Sequence, residues 1–246
     1  MKTTRQISKS GVHEKGKDLH NPLLLTFKGL TGRIAIFGGS FDPFHNGHLE
    51  VGRAVREHHG IDYLVYMPAR KNPAKQRPLS ASRANRLEMI ARSLLAETGM
   101  YVSPLELRRS PPSYTVDTVS VVRSEIDQKA ELFFIAGIDN AEDLHTWNEI
   151  DLVFSKAKII LVGRDGKILN VEKLNKLLGR EKTELLSQNL VNTNESYSST
   201  QVRAKLSKGE NITGLVPDKV KDLINNRNLY RTVGNGSPSS PIKELI

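Results

Sequence analysis

Short, unbroken apolar runs recur along this 246-residue chain, separated by stretches with helical spacing. The runs are Ile34-Ala35-Ile36-Phe37, Tyr63-Leu64-Val65-Tyr66-Met67, Leu132-Phe133-Phe134-Ile135-Ala136-Gly137 and Ile159-Ile160-Leu161-Val162-Gly163. Continuous runs of this length between helices indicate strands buried on both faces, as in a parallel sheet covered by helices. The stretch 47–59 places Leu49, Gly52, Val55 and Arg56 on one helical face. The stretch 83–97 does the same with Leu87, Ile90, Leu94 and Leu95, and Ser80 or Ser82 is its candidate cap. Residues 115–126, 171–178, 200–207 and 218–226 read as further helices, and 100–102 as a weaker strand ending at Val102. The alternation predicts a doubly wound, Rossmann-like α/β domain, in which ligands bind beyond the carboxyl ends of the strands.

Composition narrows the class. The length suits a single domain over 33–231, with a flexible basic extension over 1–32 and a tail over 232–246 rich in Gly, Ser and Pro. No apolar run approaches a membrane span, and the first residues lack the apolar core of a secretory signal. The absence of cysteine excludes a disulfide framework and a thiolate metal site, and it fits a reducing, cytoplasmic setting. The formal charge of +9 raises nucleic acid as a partner. Residues 1–32 hold six basic against two acidic side chains, and residues 33–231 hold 29 against 24. Much of the excess therefore sits in the extension. A mildly basic domain suits anionic small substrates, so nucleic acid is not the favoured partner; a membrane is excluded, and a homo-oligomer is an allowed assembly.

Chemistry concentrates in Gly38-Gly39-Ser40-Phe41-Asp42-Pro43-Phe44-His45-Asn46-Gly47-His48. A strand, a tight glycine turn and a helix start with two histidines three residues apart make a phosphate site, through free amides, the helix dipole and imidazole. This string resembles the signature of the nucleotidylyltransferase superfamily, in which His-x-Gly-His grips ATP. In its longer form it looks like the nicotinate/nicotinamide mononucleotide adenylyltransferase branch, with Phe44 where the family usually has a second proline. The resemblance runs from about Arg33 to Tyr230 and implies the nucleotidylyltransferase type of the fold.

Further segments match that family in the same order. Tyr197-Ser198-Ser199-Thr200-Gln201-Val202-Arg203 is similar to its Ile-Ser-Ser-Thr-x-x-Arg motif. The resemblance implies that Ser198, Ser199, Thr200 and Arg203 clamp the ATP phosphates, and that Gly38, Gly39, Ser40, Phe41 and Gly47 complete the nucleotide loop. Gly137 and Asp139, at the end of a strand, would hold the adenosine side, and Trp147 would stack on a pyridine ring. Tyr114 and Thr115, with Asn148 after the tryptophan, would receive the pyridine's acid group on backbone amides. Lys75, in the basic loop 69–79, would approach the phosphates.

The implied reaction is adenylyl transfer from ATP to nicotinate mononucleotide, with His45, His48 and Arg203 as the catalytic residues. No carboxylate cluster suggests a protein metal cage, so Mg²⁺ would arrive with ATP. Nicotinamide mononucleotide, pantetheine phosphate and cytidylyl transfer are alternatives on the same fold. From another class, the alternative is a nucleic-acid-binding regulator that senses a nucleotide.

Overall fold

A computed structural model describes residues 17–18, 21–71, 73, 78–164, 167–193 and 197–231. In chain order these form β1 (Lys17–Asp18), β2 (Asn21–Leu25), β3 (Arg33–Gly39), α1 (Asn46–His59), β4 (Tyr63–Pro68) and α2 (Arg83–Ser93). There follow β5 (Met100–Val102), α3 (Leu105–Arg108), α4 (Thr115–Glu125), β6 (Glu131–Gly137), α5 (Ile150–Lys156) and β7 (Lys158–Arg164). The last elements are α6 (Val171–Leu178), α7 (Arg180–Gln188), β8 (Leu190–Thr193), α8 (Ser199–Ser207) and α9 (Asp218–Asn226). No helix among the described residues is long and apolar enough to cross a membrane.

One sheet runs in the order β1-β2-β5-β4-β3-β6-β7-β8, parallel except for the antiparallel β1. The chain winds outward from β3 through β4 to β5, then returns to β6 on the other side of β3 and winds outward again. Between β3 and β6 the winding reverses, and such a reversal opens a crevice at the carboxyl edge of a parallel sheet.

Alternation along each strand divides the core in two, because successive side chains point to opposite faces. Ala35, Leu64, Tyr66, Phe133, Ile135, Ile160 and Val162 pack with α1, α2, α8 and α9. Ile34, Ile36, Val65, Met67, Leu132, Phe134, Ile159 and Leu161 pack on the other face with α4, α5, α6 and α7.

Several expectations need correction. The domain begins earlier than Arg33: β2 pairs with β5, and Leu25, Phe27 and Leu30 are buried. Residues 1–16 and 232–246, assigned to the tails, lie outside the described residues. In α1 the buried face is Leu49, Val51, Gly52, Val55 and His59. Arg56 instead sends its guanidinium to the carbonyls of Ile61 and Thr98. Helix α2 stops at Ser93, so Leu95 falls in the following turn and is 66% exposed. Its cap is Ser82, whose side chain accepts from the Asn85 amide.

Candidate active site

Gly38 and Gly39 lie within β3, and the positive φ of the turn falls on Phe41, at 48°. The tight glycine turn expected from the sequence is therefore replaced by glycines needed for room. A Cβ on Gly38 would stand 3.0 Å from Phe134 Cζ, on one face of the sheet, and a Cβ on Gly39 2.8 Å from Phe41 Cζ, on the other. A left-handed residue with a side chain costs about 1–3 kcal/mol, which dense packing must hold. Phe41 has that packing: it is buried against Phe37, Phe44, Tyr66 and His48.

His45 is the N-cap of α1 and His48 stands one turn in, their rings stacked with centroids 3.6 Å apart and planes at 21°. The His45 amide donates to His48 Nδ1 at 3.1 Å. An amide can only donate, so Nδ1 carries its lone pair and the ring hydrogen sits on Nε2. His48 thereby presents a donor from its far nitrogen. The amides of Asn46 and His48 donate to Leu215 O and His45 O. Three early amides are thus committed inside the protein, which leaves this helix start fewer backbone donors for a ligand than the sequence suggested.

Helix α8 closes against this loop. Ser198 caps it by accepting from the Gln201 amide at 3.1 Å, and Ser199 Oγ donates to Pro43 O at 2.9 Å. Arg203 donates from Nη1 to Asp42 O at 2.5 Å and from Nη2 to Thr200 Oγ1 at 3.0 Å. Ser198 and Thr200 thus shape the helix start and the arginine, while Ser199 and Arg203 line the cavity.

Asp42, to which the sequence reading gave no role, is the hub behind the loop. Its buried carboxylate accepts from the Ser80 and Ala81 amides at 2.9 and 3.0 Å and from Tyr230 Oη at 2.9 Å. Burial and the Asp42 charge push the Tyr230 phenol upward, which keeps it a donor. Beneath, Arg86 is fully buried and donates from Nη1 to Ser40 O at 2.8 Å. Burial pushes its pKa down while the Asp42 charge opposes the shift. These charges fasten α2 and the segment after α9 to the strand end.

Two cavities meet at the carboxyl edge of β3 and β6. The first, of about 220 Å³, gathers Gly38, Gly39, Ser40 and Phe41 from the strand end, His45, Gly47 and His48 from α1, and Ser199 and Arg203 from α8. The second, of about 390 Å³, lies towards the α4 face and is lined by Tyr114, Thr115, Phe134, Trp147 and Asn148. Trp147 is half-buried and held edge-on by Phe134, centroids 6.0 Å apart at 89°. Both cavities are lined by Phe37, Gly38, Gly39, Ile135, Gly137 and Asn140. The two cavities are therefore continuous at the strand ends.

Not every assigned residue reaches these cavities. Asp139 lines neither and forms an ion pair with Lys167, and Lys75 lies outside the described residues. Sequence reasoning missed Asn140, Asp143 and Glu106, which do line them. Asn140 had a signal, since it follows Asp139 at the strand end; Glu106 had none. Tyr197, which stands where the family motif has Ile, lines the first cavity beside His45, with ring centroids 6.4 Å apart.

Known proteins share this arrangement. The family model for cytidylyltransferase-like proteins matches residues 36–205. A probable nicotinate-nucleotide adenylyltransferase of Clostridium tetani is 32% identical over 197 residues, covering 80% of this chain and 98% of the relative. One of Pseudomonas aeruginosa is 33% identical over 209 residues, covering 81% and 97%. Among solved structures, Plasmodium falciparum nicotinic acid mononucleotide adenylyltransferase complexed with NaAD superposes with a TM-score of 0.63 at 20% identity. That superposition covers 81% of this chain and 97% of the other, and it speaks for the fold. The match spans the strand-end loop, both cavities and the α8 clamp, and with it the chain belongs to the cytidylyltransferase-like family, among its nicotinate-nucleotide adenylyltransferases.

Proposed function

We infer that the protein transfers the adenylyl group of ATP to the phosphate of nicotinate mononucleotide, forming nicotinate adenine dinucleotide and pyrophosphate in NAD biosynthesis. The observation that carries this reading is the pair of cavities joined at Gly38, Gly39 and Gly137. One is walled by imidazole and guanidinium, and the other by an indole and the start of a helix.

ATP would place its phosphates at His45, His48 and Arg203, with the α-phosphorus at the junction. The mononucleotide would enter the second cavity, its pyridine against Trp147 and its phosphate directed to the same junction. That phosphate is ionised near neutral pH, so the reaction needs no general base. The work left to the protein is to align two polyanions and to donate hydrogen bonds to charge building on the α-phosphate and the leaving pyrophosphate. His48 Nε2 suits the first task and Arg203 the second.

Mg²⁺ would arrive on the oxygens of ATP and supply charge neutralisation there. Among the described residues, the first cavity offers such a cation no ligand set of its own, so the oxygens of ATP would hold it. The groups lining it are imidazoles, hydroxyls and a guanidinium, and the carboxylate among them, Asp42, is tied to Ser80, Ala81 and Tyr230. Backbone amides at Thr115 and Asn148 would receive the carboxylate of the pyridine in preference to an amide. The test is pyrophosphate release from ATP with nicotinate and nicotinamide mononucleotides side by side. Faster turnover of the acid is expected. Faster turnover of the amide would reverse the preference, and turnover of neither, with salt-sensitive nucleic-acid binding, would overturn the reading.

A further inference from the structure

The second cavity is lined in part by a carboxyl group that adenylyl transfer does not use. Glu106, in α3, is 4% exposed and lines that cavity together with Ser113, Tyr114 and Thr115. Its Oε1 accepts from Thr118 Oγ1 at 2.7 Å, and Arg109 Nη2 donates to the same hydroxyl oxygen at 3.0 Å. Ser113 lines the same cavity beside it. In turn Ser113 Oγ accepts from the Arg70 amide at 3.1 Å, while the Ser113 amide donates to Lys71 O at 2.9 Å. Arg70 Nη1 donates to Arg109 O at 2.7 Å.

One carboxyl group thus joins three pieces of chain. They are α3, the start of the basic loop after β4, and the entry and first turn of α4. Helix α4 has no capping side chain at its start: its N-cap is Tyr114, which makes no side-chain cap hydrogen bond. An acid is rarely buried unless it is bonded and its placement is required.

We propose that Glu106 is a positioning residue for the mononucleotide, holding through Thr118, in one network with Arg109, Arg70 and Ser113, the Tyr114-Thr115 backbone that receives the pyridine's acid group. The inference rests on the function proposed above. It concerns affinity for one substrate, because the network touches the second cavity and leaves the His45, His48 and Arg203 side untouched.

The experiment is steady-state kinetics with ATP and nicotinate mononucleotide on Glu106→Ala, Glu106→Gln and Thr118→Val. Glu106→Ala should raise the mononucleotide KM about tenfold, the scale of one buried hydrogen bond lost. Thr118→Val removes the same bond from the other end and should raise the same KM. Glu106→Gln keeps an acceptor for Thr118 and should recover much of the loss. ATP KM and kcat should stay near wild type in all three. A residue that served folding alone would lower the active fraction and leave both KM values in place, and that result overturns the proposal. Should Glu106→Ala fail to fold, Thr118→Val and Glu106→Gln decide by the same split. An active wild type with unmoved mononucleotide KM in the variants refutes this inference alone. An inactive wild type refutes the functional reading and the inference with it.

Discussion

His48 has its ring hydrogen on Nε2, beside the first cavity, because its Nδ1 accepts from the His45 amide. If that donor acts in the transition state, His48→Ala should lower kcat by about 10²–10³ with little change in ATP KM. Near-normal turnover of a folded variant would take His48 out of the chemistry. Trp147 offers a ring face rather than a charge, so its loss should be felt in binding. Stacking worth about 0.5–1.5 kcal/mol corresponds to a roughly 2- to 13-fold rise in the mononucleotide KM for Trp147→Ala. A rise confined to ATP KM would contradict the assignment. At this scale the sequence was most legible where a motif brings its own geometry: His45, Gly47 and His48 lie within one turn of helix and had to share a site. It was least legible for Asp42 and Glu106, whose partners Tyr230 and Thr118 are 188 and 12 residues away.

Helix α1 must be seated accurately on the sheet for its first turn to line the first cavity. Gly52 and Tyr66 provide the seat. The fully buried Tyr66 donates from Oη to His48 O at 2.8 Å, and a Cβ on Gly52 would stand 2.1 Å from that oxygen. Gly52→Ala should therefore destabilise the fold by about 1–3 kcal/mol through overpacking. Tyr66→Phe alone should cost about 1 kcal/mol for the lost hydrogen bond. Because the hydroxyl is the clashing atom, the double variant should lose less than the sum in denaturant titrations, and strict additivity would sink the explanation. Buried strands and strongly periodic helices were readable as elements: α6 and α9 match the predicted bounds. Elements that bury little were not. Helix α7 turns only Thr183 and Leu186 inward and β8 only Val191, too few for a period to show. Strand β2, read as part of a tail, pairs with β5 at the single register Leu24 with Val102.

Across the whole molecule, the buried carboxyl of Glu106 links the site to stability. Desolvation holds its pKa above the ordinary carboxylate range, against the opposing influence of Thr118, Arg109 and Ser113 and with some help from Asp117. The folded state then binds this proton more tightly than the unfolded chain does. Its contribution is complete below the ordinary carboxylate pKa and is lost as pH rises through the raised value. Relative to Glu106→Gln, wild-type stability should thus fall across that window, measured as unfolding free energy at a series of pH values. Parallel curves for the two proteins would contradict this linkage.

The strand-end loop by itself determined that its histidines, glycines and helix start share one site, because they are neighbours in sequence and local geometry alone brings them together. The runs of apolar residues likewise determined a covered parallel sheet. Tertiary structure alone decided that the site has two sides. The winding reverses between β3 and β6, and successive residues of a strand face opposite layers, so Phe41 with His48 meets Gly39 and Phe134 with Trp147 meets Gly38 from opposite faces. No local pattern records which strands become neighbours, because pairing is set by how the helices on both faces pack. That packing makes two cavities out of residues more than a hundred positions apart.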